Sequence, residues 1–109
     1  MAKEIEVYPS SGNVFADLGL PNPDELLVKA ELTHRISEII SARQLTETEA
    51  SKLLEIDRSN LSALLRGKLS DFSIEILFRF LNILGSNVEI HVVVNSKPDV
   101  QAQTRIVVA

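Results

Sequence analysis

The chain has 109 residues, of which 45% are apolar and 24% charged, which is ordinary for one globular domain and excludes a disordered or collagen-like protein. It has no cysteine, which excludes disulfides and thiolate metal sites, and its net charge of −4 argues against indiscriminate binding to nucleic acid. The N-terminus lacks the apolar region of a signal peptide, and no apolar run is long enough for a membrane span. We expect a cytoplasmic protein that does not cross a membrane.

A long helix is predicted in the first half of the chain. In the sequence LPNPDELL, Asn22 is the predicted N-cap and Pro23 the first helical residue, and the acidic residues that follow favour a helix start. Apolar residues then recur at helical spacing, so we expect this helix to run to about Arg43. The preceding stretch NVFADLG, residues 13–19, predicts a further helix of one or two turns.

Two short helices are predicted in the middle of the chain. Thr46 followed by Glu49 forms a capping box, which predicts that a helix begins at Glu47. Asp57 is the predicted N-cap of the next helix, and Gly67 ends it. Helices of about two turns are marginal alone, so both must pack against each other and the long helix. Their predicted buried residues are Ala50, Leu53, Leu54, Leu61, Leu64 and Leu65.

An apolar helix and a strand are predicted next. Ser73 is the predicted N-cap of the helix and Gly85 its end, and only a narrow stripe of its residues is polar. Such a helix is expected to be buried on two sides, one against the core and one against a second subunit. The alternation in VEIHVVV, residues 88–94, predicts a strand that pairs with RIVV near the C-terminus or across a dimer two-fold. The polar stripe consists of Glu75, Arg79 and Asn82.

The predicted elements give a mainly α fold of four to five helices with one C-terminal β-strand. We predict a flexible N-terminal arm over residues 1–12, one domain over residues 13–94 and a tail over residues 95–109. The central segment differs from its flanks in charge. Residues 43–68 hold five Lys or Arg against four Asp or Glu, whereas residues 1–42 hold three against seven. This asymmetry weakly favours nucleic acid as a partner of the central segment.

Two short helices, the second with polar residues on its outer face, have the geometry of a helix-turn-helix. This stretch resembles the helix-turn-helix of the lambda-repressor and Cro superfamily, and the flanking sequences resemble the short antitoxins of the HigA type over residues 13–94. The resemblance implies a homodimeric repressor that binds an inverted-repeat operator in its own promoter. It also implies a protein partner, a basic ribonuclease toxin of the RelE/HigB type. The matching residues are Thr46, Glu49, Ile56, Leu61, Ser62, Leu64 and Gly67.

The resemblance assigns DNA contacts to positions in this sequence. The residues predicted to read bases are Arg58, Ser59, Asn60 and Ser62. Those predicted to contact phosphates are Arg43, Thr46, Thr48, Arg66 and Lys68. The predicted dimer interface comprises Phe78, Leu81, Val88, Ile90 and Val92. Three residues depart from the family pattern, namely Glu47 in place of a DNA-contacting Gln, Glu55 in place of the turn Gly, and Ala63 at an often polar position.

Two other functions remain open, and an enzyme is not expected. The chain could act as a stand-alone regulator without a toxin, or as a protein-interaction module that has lost DNA binding. His34 and His91 are interpreted as exposed side chains, and no set of residues has the spacing of a metal site, a phosphate loop or a nucleophile elbow. We therefore predict no catalytic residue, no metal and no cofactor.

Overall fold

The computed structural model describes residues 3–4, 18–19, 22–94 and 104–108. The long helix, α1, spans Pro23–Ala42, close to the predicted bounds. Asn22 occupies the N-cap position, but its backbone is left-handed and its side chain makes no capping hydrogen bond, so the prediction that this side chain caps the helix is wrong. Of the predicted helix over residues 13–19, only Leu18 and Gly19 lie within the described residues, where they form a turn.

The two short helices are present where the sequence predicted them. Helix α2 spans Glu47–Leu54 and begins with the predicted capping box, and helix α3 spans Arg58–Leu65. Asp57 is at the N-cap position of α3 but makes no side-chain capping bond. Two predicted buried positions differ from the structure, because Leu53 is 38% exposed and Leu65 is only half-buried. Ser51 is buried instead and donates its hydroxyl to the carbonyl of Thr48.

A short 3-10 helix over Leu69–Asp71, which was not predicted, leads into helix α4, Ile74–Ile83. Ser73 caps α4 as predicted, accepting a hydrogen bond from the N–H of Ile76 at 3.2 Å. The predicted polar stripe of α4 is exposed. None of the helices in the described ranges is both long enough and apolar enough to cross a membrane.

The four α-helices that the structure describes end in the same way. Each end has a left-handed residue, and the N–H of the next residue donates back to a carbonyl five residues earlier, which is the Schellman motif. Glycine takes the left-handed position after α3 and α4, at Gly67 and Gly85. Non-glycine residues take it after α1 and α2, namely Gln44 with φ 55° and Glu55 with φ 59°. The ends of α1 and α2 are therefore strained relative to the other two.

The core lies between α1 and α4, with α2 and α3 packed against one end of it. Ile36, Leu61, Leu64 and Leu77 are fully buried, and the rings of Phe72 and Phe80 meet edge to face with centroids 6.3 Å apart. The mainly α helix-turn-helix fold is confirmed. Among the described residues, the buried apolar side chains are Val28, Leu32, Ile36, Ile40, Ala50, Leu54, Leu61, Leu64, Leu69, Phe72, Leu77, Phe80, Leu81 and Leu84.

A C-terminal strand is present, but not where the alternation predicted it. Residues 88–94 are all described and contain no strand. The strand is β2, Val107–Val108, which pairs antiparallel with β1, Lys3–Glu4, near the N-terminus. The prediction of a strand over residues 88–94 within this chain is therefore wrong. The rest of the predicted arm and tail, residues 1–2, 5–12, 95–103 and 109, lies outside the described residues.

The two-stranded sheet is attached to α1 through the residue before β2. Ile106 is half-buried against the core, and its N–H donates to the carboxylate of Glu31. Burial raises the pKa of Glu31, and the hydrogen bond from Ile106 offsets part of that rise. Because Glu31 Oε2 is buried and has no hydrogen-bond partner among the described residues, the ionised form of this side chain is incompletely solvated.

Candidate nucleic-acid interface

Helices α2 and α3 form a helix-turn-helix. Only three residues, 55–57, separate them, and the left-handed backbone at Glu55 reverses the chain direction there. Leu54 and Leu61 are buried on the two sides of the turn, and Ile56 packs against the same core. The apolar residues of α3 thus face inward, and its opposite face is left on the surface of the protein.

The first turn of α3 presents the predicted base-reading residues. Arg58, Ser59 and Asn60 are exposed, and Ser62 is half-buried one turn further along. Within the described part of the chain, the side chains of Arg58, Ser59 and Asn60 have no hydrogen-bond or ion-pair partner. Their donors and acceptors are therefore available to a ligand that approaches the N-terminal end of α3.

The N-terminus of α2 is occupied by its own capping box. The N–H of Thr46 donates to Glu49 Oε1 at 2.9 Å, and the N–H of Glu49 donates to Thr46 Oγ1 at 3.1 Å. The hydrogen bond from the N–H of Thr46 to the Glu49 carboxylate is the main cause that lowers the pKa of Glu49, and the Thr46 side chain lowers it further. Sequence reasoning gave Thr46 two roles, capping and phosphate contact, and in the free protein capping uses both its amide and its hydroxyl. Thr48, the other predicted phosphate contact in this turn, has an exposed side chain.

The predicted basic phosphate contacts are all exposed, but two of them make hydrogen bonds within the protein. Arg66 Nε donates to the carbonyl of Ser62 at 3.3 Å, within the C-terminal end of α3. Arg43 donates from its guanidinium to the carbonyl of Leu84 at 3.3 Å, at the end of α4. No residue pattern near Arg43 indicated this contact, because its acceptor lies 41 positions away in the chain. Lys68 projects beyond the left-handed Gly67.

The predicted dimer residues differ in their exposure. Ile90 and Val92 are 72% and 92% exposed, and Phe78 and Val88 are half-buried. Leu81 is only 3% exposed because it packs in the core of its own chain. Its side chain has no surface to offer a second protomer, so Leu81 is left out of the interface considered below.

Comparison with known proteins identifies the fold and the general function. A family model described as "Helix-turn-helix domain" matches residues 14–93, which include α1 to α4. The chain belongs to this helix-turn-helix family. A solved structure described as "Putative XRE Family Transcriptional Regulator" is 35% identical to this helix-turn-helix protein and has a TM-score of 0.67, covering 82% of this chain and 98% of that one. No curated protein matches the chain significantly.

These matches and the geometry agree on a DNA-binding transcriptional regulator. The family match includes α3, the helix that presents Arg58 and Asn60. The similarity to the solved structure covers nearly all of that protein's length. A helix-turn-helix protein binds DNA by placing its second short helix in the major groove. In the described ranges, no group of three or more His, Asp or Glu side chains is close enough to hold a metal ion.

Proposed function

We propose that the protein is a homodimeric repressor that binds an inverted-repeat operator and serves as the antitoxin of a toxin–antitoxin pair. The observation that carries the operator-binding part is the set of unpartnered side chains at the exposed start of α3. An Arg guanidinium pairs with guanine O6 and N7, and an Asn amide pairs with adenine N6 and N7, in the major groove. In this proposal Arg58 and Asn60 read the bases, and Ser59 and Ser62 contact base edges with their shorter side chains.

Phosphate contacts would flank α3 on both sides. Lys68 and Arg66 lie at the C-terminal end of α3, and Thr48 lies in the first turn of α2. A phosphate that approached the α2 N-terminus would have to replace Glu49 as the partner of Thr46, and it would also meet the carboxylate of Glu47. Phosphate binding is therefore expected mainly from the basic residues after α3, and Thr46 contributes only if the capping box opens.

The dimer would form through the apolar segment after α4. Ile90, Val92, Val93 and Val94 are all at least 72% exposed, and an exposed apolar cluster of this kind, interrupted by His91, is typical of an interaction surface. Val88 at its start and Phe78 on α4 are half-buried and extend the run toward the core. Pairing of this β-prone segment with its copy across a two-fold axis would supply its backbone with the partner that it lacks in the described part of one chain.

The acidic first part of the chain would suit a basic toxin. Helix α1 exposes Asp24, Glu25 and Glu38, and residues 1–42 carry a net charge of −4. Opposite charge accelerates association and helps to exclude wrong partners, so a basic ribonuclease of the RelE/HigB type is the partner class that this charge favours. The protein would act in the cytoplasm, at the nucleoid, where its own promoter lies.

One experiment tests DNA and partner together. The protein is co-expressed with the neighbouring reading frame, purified, and footprinted on the DNA upstream of the operon, with the double variant Arg58→Ala/Asn60→Ala as control. We expect protection of an inverted repeat whose half-sites are about 34 Å apart, one DNA turn, and no protection by the control. Protection of one isolated half-site would contradict the symmetric dimer. Co-purification with a neighbour but no protection by the wild type would instead indicate a protein-interaction module, which the acidic α2 N-terminus favours.

A further inference from the structure

The end of α4 is held by contacts that fix the direction in which the chain leaves it. The carbonyls of Leu81 and Asn82 accept the two Schellman hydrogen bonds, from the N–H groups of Ser86 at 2.9 Å and Gly85 at 3.1 Å. The side-chain amide of Asn82 also donates to the carbonyl of Ser86 at 3.0 Å. The exposed apolar segment, residues 88–94, begins two residues later. Its starting direction is thus determined locally by α4.

Arg43 connects this exit to the C-terminal end of α1. It is the C-cap residue of α1, three positions before the capping box that begins α2, and its guanidinium donates to the carbonyl of Leu84, the C-cap of α4. That carbonyl takes no part in the Schellman bonds, and a cation at a helix C-terminus is also favoured by the helix dipole. One side chain therefore joins the start of the helix-turn-helix to the start of the apolar segment.

We propose that Arg43 is a positioning residue, which fixes the helix-turn-helix relative to segment 88–94. Its effect on DNA rests on the proposed function: if two copies pair through segment 88–94, the angle held by Arg43 determines the separation of the two α3 helices. That separation selects operators by the spacing of their half-sites, because each α3 must enter a major groove on the same face of the duplex. Arg43 then acts on specificity without contacting DNA.

The positioning role can be measured without DNA or a dimer. The chain has no cysteine, so Ser70→Cys and His91→Cys introduce two unique spin-label sites, one beside the helix-turn-helix and one in the apolar segment. Doubly labelled protein is diluted in unlabelled protein so that distances within one chain dominate. Arg43→Gln should lose the single narrow distance peak of the parent protein. Arg66→Gln is the matched control, since Arg66 makes a hydrogen bond of the same 3.3 Å length but within its own helix, and it should keep the peak.

An unchanged peak in Arg43→Gln would overturn the proposal. Arg43 is exposed, so its replacement leaves the core intact and the result does not depend on partial unfolding. If the wild type binds no operator, the proposed function fails, and the spin-label distances still decide the role of Arg43.

The consequence for DNA is measured with operators whose half-site spacing is varied one base pair at a time. Arg43→Gln should lose the wild-type preference for one spacing, while the dependence of log K on log salt concentration keeps its slope. A phosphate contact would give the opposite result, a slope reduced by about one unit with the spacing preference retained. That second result would overturn the positioning role and assign Arg43 to the DNA backbone.

Discussion

The backbone N–H of Thr46 donates to Glu49 Oε1 at 2.9 Å, and the N–H of Glu49 donates in return to Thr46 Oγ1 at 3.1 Å. These reciprocal bonds satisfy two of the amides that the first turn of α2 leaves without a helical partner. The same N-terminal end of α2 is where a helix-turn-helix lies against the DNA backbone. In the proposed complex, phosphate would therefore compete for the groups that the capping box uses in the free protein.

The capping box makes the stability of the protein depend on pH. The hydrogen bond from the N–H of Thr46 to the Glu49 carboxylate, with a further contribution from the Thr46 side chain, lowers the pKa of Glu49 below the ordinary value of 4.5. The stabilisation is therefore complete above that value and is lost as the pH falls through the lowered pKa. We expect the free energy of unfolding, measured with urea, to fall less between neutral and strongly acidic pH in Glu49→Gln than in wild type. Glu47→Gln is the matched control, because Glu47 lies in the same turn outside the capping box. An identical acid loss in wild type and Glu49→Gln would contradict the role assigned to this carboxylate.

Replacing the two strained helix ends by glycine should stabilise the protein. Gln44 and Glu55 hold positive φ angles of 55° and 59°. A left-handed non-glycine residue costs about 1–2 kcal/mol, and glycine returns roughly 0.5–1 kcal/mol through its greater freedom in the unfolded chain. Gln44→Gly and Glu55→Gly should therefore each raise the free energy of unfolding by about 0.5–1 kcal/mol, measured by urea titration.

The reverse change provides the control for the strain argument. Gly85 has φ 94° and open space around its missing Cβ, so Gly85→Ala adds backbone strain without a steric clash. It should lower the free energy of unfolding by about 1 kcal/mol. Destabilisation by both glycine substitutions would show that the side chains of Gln44 and Glu55 make contributions larger than the backbone strain.

The elements that the sequence predicted correctly depend on local chemistry. The starts of α2 and α4 follow from Thr46 and Ser73, whose side chains bond to amides three residues away. These two inferences need only a few neighbouring residues, so a single sequence is enough. The left-handed conformation of Glu55 and the placement of Arg58 and Asn60 at the start of α3 were inferred instead from the resemblance to the helix-turn-helix family, whose pattern has glycine at the position of Glu55.

The features that the sequence did not predict depend on distant parts of the chain. Alternation in residues 88–94 indicates a side-chain pattern, but a strand also needs a backbone partner, and none is present in the described part of this chain. The pairing of Lys3–Glu4 with Val107–Val108 joins the two ends of the chain, which no local pattern encodes. The bond from Arg43 to Leu84 likewise exists only after α1 has packed on α4.

Leu61 and Leu53 differ in burial, so replacing each by alanine should lower the free energy of unfolding by very different amounts. Leu61 is fully buried on the inward face of α3, and Leu53 on α2 is 38% exposed although helical spacing predicted it to be inward. Leu61→Ala should lower the free energy of unfolding by about 2–5 kcal/mol, because it leaves a cavity in the core. Leu53→Ala should lower the free energy of unfolding by less than about 1.5 kcal/mol, since even full burial of a leucine contributes only about 1.5–3 kcal/mol and Leu53 is partly exposed. Equal costs in urea unfolding would mean that Leu53 becomes buried in the dimer.

The carboxyl group of Glu31 should destabilise the protein at neutral pH. Burial raises its pKa above the ordinary value of 4.5, so ionisation is penalised in the folded state, and this penalty develops as the pH rises from 4.5 through the raised pKa. Glu31→Gln should therefore be more stable than wild type at neutral pH and lose that advantage below pH 4.5. Urea unfolding at the two pH values measures the difference. Glu38→Gln, an exposed carboxylate on the same helix, is the control.

Base reading and phosphate binding can be separated by one pair of variants. Arg58 lies in the first turn of α3, and Lys68 follows its C-terminal end, so the two cations would meet different parts of the duplex. Arg58→Ala should weaken binding by about 1–3 kcal/mol and relax the preference at a single base pair, because a bidentate contact to guanine is lost. Lys68→Ala should weaken binding to all sequences alike and reduce the salt slope by about one unit.

The measurement is a titration of each variant against the operator and a set of single-base changes at several salt concentrations. Asn60→Ala gives a second specificity variant, which should relax the preference at a different base pair, because Asn60 lies two residues further along α3. If Arg58→Ala weakened binding to every sequence equally and flattened the salt slope, Arg58 would be a phosphate contact. Base reading would then fall to Asn60 and the two serines, whose shorter side chains require α3 to lie deeper in the groove.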